Sequence, residues 1–361
     1  MFSTVLNGIA GYLDKRFILS IFLPSLVFWV LVGGLVAIAR GPAEIIEVWG
    51  KQSAEVQVLL LILLIAWVTF FAYLLANYLT PLTRLYEGYW DWMPRHELFA
   101  EPRRRHYQVQ LADLQKTLEH LGEQSRELEH RLAGLQQLPK PERAEANQKI
   151  EAELAMTESD RQSQYMEMYS YFPPHTRPQA VLPTRLGNIF KSAELYPYLR
   201  YRIDAVLIWP RLYVLLPQTF SEALANIKSS LDLMLIVSFL SCWLASIGLA
   251  CWVFLSLHWV LSLLTFLAGL LVSWLAYKGA VRAAVAYGEL IRAAFDLHRG
   301  AVIKALGLKT PTSLAEELIL WDNINSYLYR GFLKKQEIFQ YATPSTLEND
   351  SPDRADSPPA E

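Results

Sequence analysis

Cysteine is nearly absent: 361 residues hold only Cys242 and Cys251. They stand nine positions apart in one apolar run. Along a helix that is about 13 Å, and a disulfide tolerates a Cα separation of at most about 7 Å. A disulfide framework is excluded, and the two read as small packing residues. Net charge is also nearly absent, since 33 Lys and Arg face 35 Asp and Glu. That excludes a strongly basic nucleic-acid binder and a strongly acidic tail protein. Catalytic signatures are missing too. The sequence has no Gly-rich phosphate loop, no G-x-S-x-G, no H-E-x-x-H and no paired C-x-x-C. His96-Glu97 is followed by another histidine only at His106, the wrong spacing for a helical zinc pair. No catalytic residue, cofactor or metal ligand is expected, and a non-enzymatic protein is the leading expectation.

Charge is missing outright from four stretches: Phe17–Ala39, Val56–Ala76, Leu233–Leu255 and Trp259–Tyr277. A bilayer core takes about 20 apolar residues as a helix, and backbone in lipid must satisfy itself. Four transmembrane helices (17–39, 56–76, 233–255, 259–277) are expected. Ala37-Ile38-Ala39 resembles a signal cleavage site, yet the first run exceeds a signal h-region of about 7–15 residues, so it reads as a retained span. Of the 33 basic residues, only Arg40 and Lys51 lie between the first two runs, and none lies between the last two. The positive-inside rule then puts both termini and the large middle region in the cytoplasm. No Asp, Glu, Lys or Arg lies inside a run, which argues against a pump or secondary transporter. A channel built from several copies stays open, because pores can be lined by hydroxyls and apolar rings.

What is there between the runs is mostly helical in pattern. In 1–16, Phe2, Val5, Leu6, Ile9 and Leu13 share one face, predicting an interfacial helix. Residues 77–105 form a membrane-proximal segment dense in Tyr and Trp, with a helix ending near Met93 and the basic run Arg103-Arg104-Arg105 after it. Leu111, Leu114, Leu118, Leu121, Ser125, Leu128, Leu132 and Leu135 alternate spacings of three and four, the a/d pattern of a coiled coil. Leu138-Pro139-Lys140-Pro141 breaks it, and sparse apolar points (Ile150, Leu154, Met168) follow. Residues 106–170 therefore predict a helical hairpin with a weaker second arm. The leucine seam is the candidate contact for a second copy or a cytoplasmic protein.

The segment 171–231 is rich in Pro and aromatics. Its basic residues interleave with Tyr196, Tyr198, Tyr201, Trp209 and Tyr213, which in a soluble protein could bind single-stranded nucleic acid. Leading into a span, it reads instead as a membrane-surface layer in contact with lipid, and no nucleic acid is expected. Thr184 is a candidate helix N-cap. Ser238, Cys242, Ser246 and Ala250 make a small-residue stripe on the third span, and Thr265, Gly269 and Ser273 do so on the fourth; both predict close helix packing. Residues 278–340 continue as cytoplasmic helices. Glu289, Arg292, Asp296 and Arg299 alternate in sign at spacings of three and four, the pattern of a solvated helix surface. The tail 341–361, rich in Pro, Ser, Asp and Glu, should be disordered.

Several strings carry a resemblance. Leu182-Pro183-Thr184-Arg185-Leu186-Gly187-Asn188, Tyr196-Pro197, Ile203-Asp204-Ala205-Val206, Trp209-Pro210-Arg211-Leu212-Tyr213 and Ala293-Ala294-Phe295-Asp296-Leu297-His298-Arg299 are similar to a family of bacterial multi-span membrane proteins without an assigned activity. The likeness covers about 182–300, and elsewhere only the layout of spans. It implies a bacterial cytoplasmic-membrane location and lends no mechanism. Where the family pattern leads to glycine after Arg200-Tyr201, this chain has Arg202. The strings also suggest a charged network of Arg185, Asp204, Arg211, Asp296 and Arg299, because buried charges need partners. The combined expectation is an all-α integral membrane protein that acts as a scaffold or anchor. The alternatives are a homo-oligomeric channel and a membrane enzyme or lipid-handling protein.

Overall fold

The computed structural model describes residues 15–90, 94–135, 140–255, 257–331 and 339–341. The predicted interfacial helix before Lys15, the Pro139 break, Met93 and nearly all of the tail lie outside them. Every long element is a helix. After a turn at Lys15–Phe17 and a π-helical segment at Ile18–Phe22 come α1 (Leu23–Arg40), α2 (Pro42–Gly50), α3 (Ala54–Asn77) and α4 (Leu79–Glu87). Then follow α5 (Glu97–Gly134), α6 (Lys140–Tyr171), α7 (Arg185–Tyr201), α8 (Ala205–Leu215), α9 (Gln218–Leu255), α10 (Trp259–Ala305) and α11 (Leu314–Arg330). Four helical stretches among the described residues are long and apolar enough to cross a membrane: Ile18–Arg40, α3, α9 and α10. Their large apolar side chains point outward, as with Leu263, Leu264, Leu267 and Leu271 on α10. That would be untenable in water and is stable in lipid. The chain is a multi-pass, all-α membrane protein.

α9 and α10 form its axis, and small residues set their spacing. A Cβ placed on Gly269 would lie 2.7 Å from the Ser241 carbonyl oxygen and 2.8 Å from the Ala245 Cβ. Ser262 donates from Oγ to the Gly248 carbonyl at 2.8 Å, and Ser238 does so to that of Ser273 at 3.0 Å. Thr265, Gly269 and Ser273 lie along this contact. On α9 the expected stripe fails after its first member. Ser238 is buried, but Cys242, Ser246 and Ala250 are exposed, and Ser241, Ala245 and Gly248 take their places. A spacing of four advances about 40° per step around a 3.6-residue helix; Ser238 sits at one edge of the covered face, so each step carries the stripe farther off it, whereas on α10 the three members are centred on Gly269.

Both helices run well past their apolar runs. Residues 218–231, expected on the membrane surface, are the first turns of α9, about 20 Å of helix before the run at Leu233. They pair with the second half of α10, where Phe220 meets His298 edge-on at 5.4 Å. Around this extension α7, α8 and α11 close a core of large side chains, including Ile203, Ile208, Leu212, Phe295, Ile303 and Trp321. We refer to this part as the body.

α5 and α6 lie antiparallel. Leu111 packs near Met168 and Phe172 at one level, and Ser125 donates to a Glu158 carboxylate oxygen at 2.5 Å farther along. α5 begins at Glu97, earlier than the expected 106, with Pro102 inside it and Arg104 and Arg105 paired to Glu101. The leucine seam faces α6 rather than solvent. Leu111 and Leu128 are buried, and Leu114, Leu118, Leu121, Leu132 and Leu135 are half-buried. α6 meets it with polar residues such as the buried Thr157.

Candidate functional site

The densest polar constellation among the described residues lies on one face of α10, in the body. Spacings of three and four put Glu289, Arg292, Asp296 and Arg299 within about 80° of one another around the helix. The expected solvated face is in fact clasped by the end of α6, by α7 and by α11. Arg292 is only 2% exposed. Its guanidinium donates to Glu289 at 2.6 Å, to the Tyr169 carbonyl at 3.0 Å and to the Ser192 hydroxyl at 2.9 Å. It also lies 4.2 Å from the centre of the Tyr169 ring, a cation–π contact that strengthens when water is excluded. Its Nε has no partner among the described residues.

One turn on, Asp296 accepts from two phenols, Tyr196 at 2.9 Å and Tyr201 at 2.7 Å. Tyr196 meets Tyr169 edge-on at 5.9 Å, which joins the two turns. Burial, then the hydrogen bond and charge of Asp296, push Tyr196 up to about 12. Tyr201 is raised by the same two causes, and burial raises Tyr169 as well. The phenols are therefore committed donors at neutral pH and not bases. Arg299 stacks 3.9 Å over Tyr201 and grips Glu317 of α11 at 2.7 and 3.3 Å. Such a bidentate pair is among the stronger charge-assisted contacts. Beside this row, the end of α6, Pro173-Pro174 and α7 enclose a cleft of about 320 Å³ faced by Tyr165, Tyr169 and Tyr196, with Arg200 among its lining residues.

The residues from Leu182 to Asn188 explain how α7 reaches this position. Thr184 caps it, accepting from the Gly187 amide at 3.0 Å, and donates to the Glu87 carbonyl at 2.8 Å. A Cβ on Gly187 would fall 2.1 Å from that same carbonyl oxygen, so only glycine lets α7 sit on the end of α4. Asn188, fully buried, brackets the Leu182 backbone with two hydrogen bonds. Trp209 packs on Phe295 at 5.9 Å. Arg202 takes the left-handed conformation (φ 64°) that ends α7, the place where glycine is the usual residue.

Of the five charges expected to meet, Asp296 and Arg299 do so, sharing Tyr201 and a hydrogen bond from Arg299 to the Asp296 carbonyl. The others serve locally. Arg185 stacks over Tyr171 at 4.2 Å, Asp204 caps α8 through the Leu207 amide, and the exposed Arg211 donates to the Leu207 carbonyl. The buried charge is Arg292, which sequence reading placed on a surface. Of the tyrosines expected against the membrane, Tyr196 and Tyr201 turn to Asp296, whereas Tyr198 lies against Arg177 and Arg202 and Tyr213 is exposed. The described residues hold no group of three or more His, Cys, Asp or Glu arranged for a metal. Comparison of the chain with protein-family models, with curated proteins and with solved structures finds no match.

Proposed function

We propose that this protein is a non-enzymatic membrane scaffold, in which α10 carries the α5–α6 arm out of the bilayer and presents it to a cytoplasmic protein. The carrying observation is the clasp on Arg292. A residue of α10, continuous with a span, holds the backbone of Tyr169 at the base of the arm. The clasp is built from committed donors and paired charges, which suits joining elements rather than transforming a substrate. The Lys/Arg distribution favours the cytoplasm for the arm and both termini, and the family resemblance favours a bacterial inner membrane. The leucine seam is spent on α6, so the partner meets the outer face of the arm, where Leu98, Phe99 and Val109 of α5 and Met156 and Met166 of α6 are exposed. A second reading, a homo-oligomeric channel, draws on the outward turn of Cys242, Ser246 and Ala250 in α9.

Copy number in lipid nanodiscs, by native mass spectrometry, separates the two. A monomer or dimer is expected. Photo-crosslinkers at Val109 and Met166 should then capture one recurrent partner, and Leu118 should not. Arg292→Met removes a buried hydrogen-bonded charge and should weaken the clasp by about 3 kcal/mol, the low end because Glu289, left behind, is 42% exposed. Hydrogen exchange at 165–175 should rise while the spans stay protected. A ring of four or more copies that passes ions would replace the scaffold with the channel.

A further inference from the structure

At the other end of the body, where the first span begins, two cavities of about 390 and 730 Å³ share Arg16, Ser20 and Ser229. They lie between the π-helical segment Ile18–Phe22 and the last turns of α9 before its apolar run. The wider π turn is itself a departure that recurs at functional positions; here Ser20 turns back to donate to the Arg16 carbonyl at 2.6 Å. The apolar runs begin at Phe17 and Leu233, which sets these cavities at the depth of the lipid headgroups. Their walls carry both signs of charge. Arg16 and Lys228 supply cationic donors, Ser229 and Asn226 supply neutral polar groups, and Glu222 supplies a carboxylate. Asp232 pairs with Lys228, and Glu222 accepts from Gln218 at 2.8 Å. Above them Leu19, Leu23 and Val27, one helical turn apart, are each about half exposed and run along the membrane face of the first span.

From this arrangement we infer that the pair of cavities binds one phospholipid whose headgroup carries both a phosphate and a primary ammonium. The phosphate sits with Arg16, Lys228 and Ser229, the ammonium with Glu222, and the acyl chains follow Leu19, Leu23 and Val27. A purely anionic headgroup would leave Glu222 facing like charge, which disfavours it. This inference is independent of the scaffold reading, since it concerns a different face and requires no protein partner.

The test uses the full chain in nanodiscs of equal parts phosphatidylethanolamine and phosphatidylglycerol, extracted into mild detergent and weighed by native mass spectrometry. One phosphatidylethanolamine should be retained over phosphatidylglycerol by about tenfold, the worth of one charge-assisted hydrogen bond. Ser229→Leu, which fills the space, and Lys228→Gln, at a side chain 38% exposed, should each lose that lipid, and Lys228→Arg should keep it. Equal retention of the two lipids overturns the assignment, as does retention undiminished in Lys228→Gln. Binding of free phosphoethanolamine with no lipid retained also overturns it, and leaves a soluble phosphoester as the ligand.

Discussion

α10 obeys two opposite packing rules along one unbroken helix. In its first half the covered residues are small, Ser262 and Gly269, and leucines face outward. In its second half Ala284, Gly288 and Ala294 are still covered, but the large side chains of Arg292, Phe295, Val302 and Ile303 join them. Lipid is as apolar as leucine, so between spans there is no hydrophobic gain in hiding large side chains, and close backbone approach decides the contact. In water that gain returns, about 25 cal/mol per Å² of apolar surface, and a large side chain is worth enclosing. The arrival of large covered side chains along α10 marks where the solvent changes.

The contrast can be broken from either side. The largest effect is expected at Phe295, where Phe295→Ala opens a cavity in the body and should cost about 3–5 kcal/mol, while Leu267→Ala, facing lipid, should stay within about 0.5 kcal/mol. Thermal unfolding of both variants in nanodiscs checks this; equal losses would erase the distinction. Gly269→Val attacks the other half. Its Cβ has no room against Ser241 and Ala245, and overpacking of about 1–3 kcal/mol should appear as loosened α9–α10 pairing by cysteine cross-linking, with the body intact. Arg202→Gly relieves a left-handed residue and should gain about 1 kcal/mol; a loss instead would show that the Arg202 contact with Tyr198 matters more. The gentlest probe is alkaline titration. The Tyr196 phenol is held above its ordinary value of 10.0, up to about 12, so its contribution to stability is whole below pH 10 and drains between pH 10 and about 12. Tyrosinate absorbance followed with unfolding should show this, and Asp296→Asn should move the ionisation down.

The spans were legible because an uncharged run of that length has one stable solution. The cap at Thr184 was legible because it is local: three residues on, the Gly187 amide completes it. The leucine heptad showed which face of α5 is covered and, with the Pro break after it, predicted a hairpin; how far the second arm covers the seam was not legible, since Asn147 and Thr157 of α6 carry no apolar signal. The row on α10 was misread for a related reason. Alternating charges at spacings of three and four look the same on a solvated helix as on one clasped by tyrosines about 100 positions away in sequence. The signal that was present was the density of Tyr around Pro197, more aromatic hydroxyl than a membrane surface alone requires. The Cys242–Ser246–Ala250 stripe failed because Ser238 sits at one edge of the covered face, so a drift of about 40° per step leaves that face at once, while the same drift on α10 is centred on Gly269.

Continuity of α10 has a mechanical meaning. Its 47 residues make a rod of about 70 Å with no joint where it leaves the bilayer. Spans answer changes in hydrocarbon thickness by tilting. A tilt of about 10° swings the far end of a rod that long by about 12 Å, and whatever is clasped to Arg292 and Arg299 travels with it. Bilayer thickness and the position of the body are thereby geared together, with α10 as the pointer.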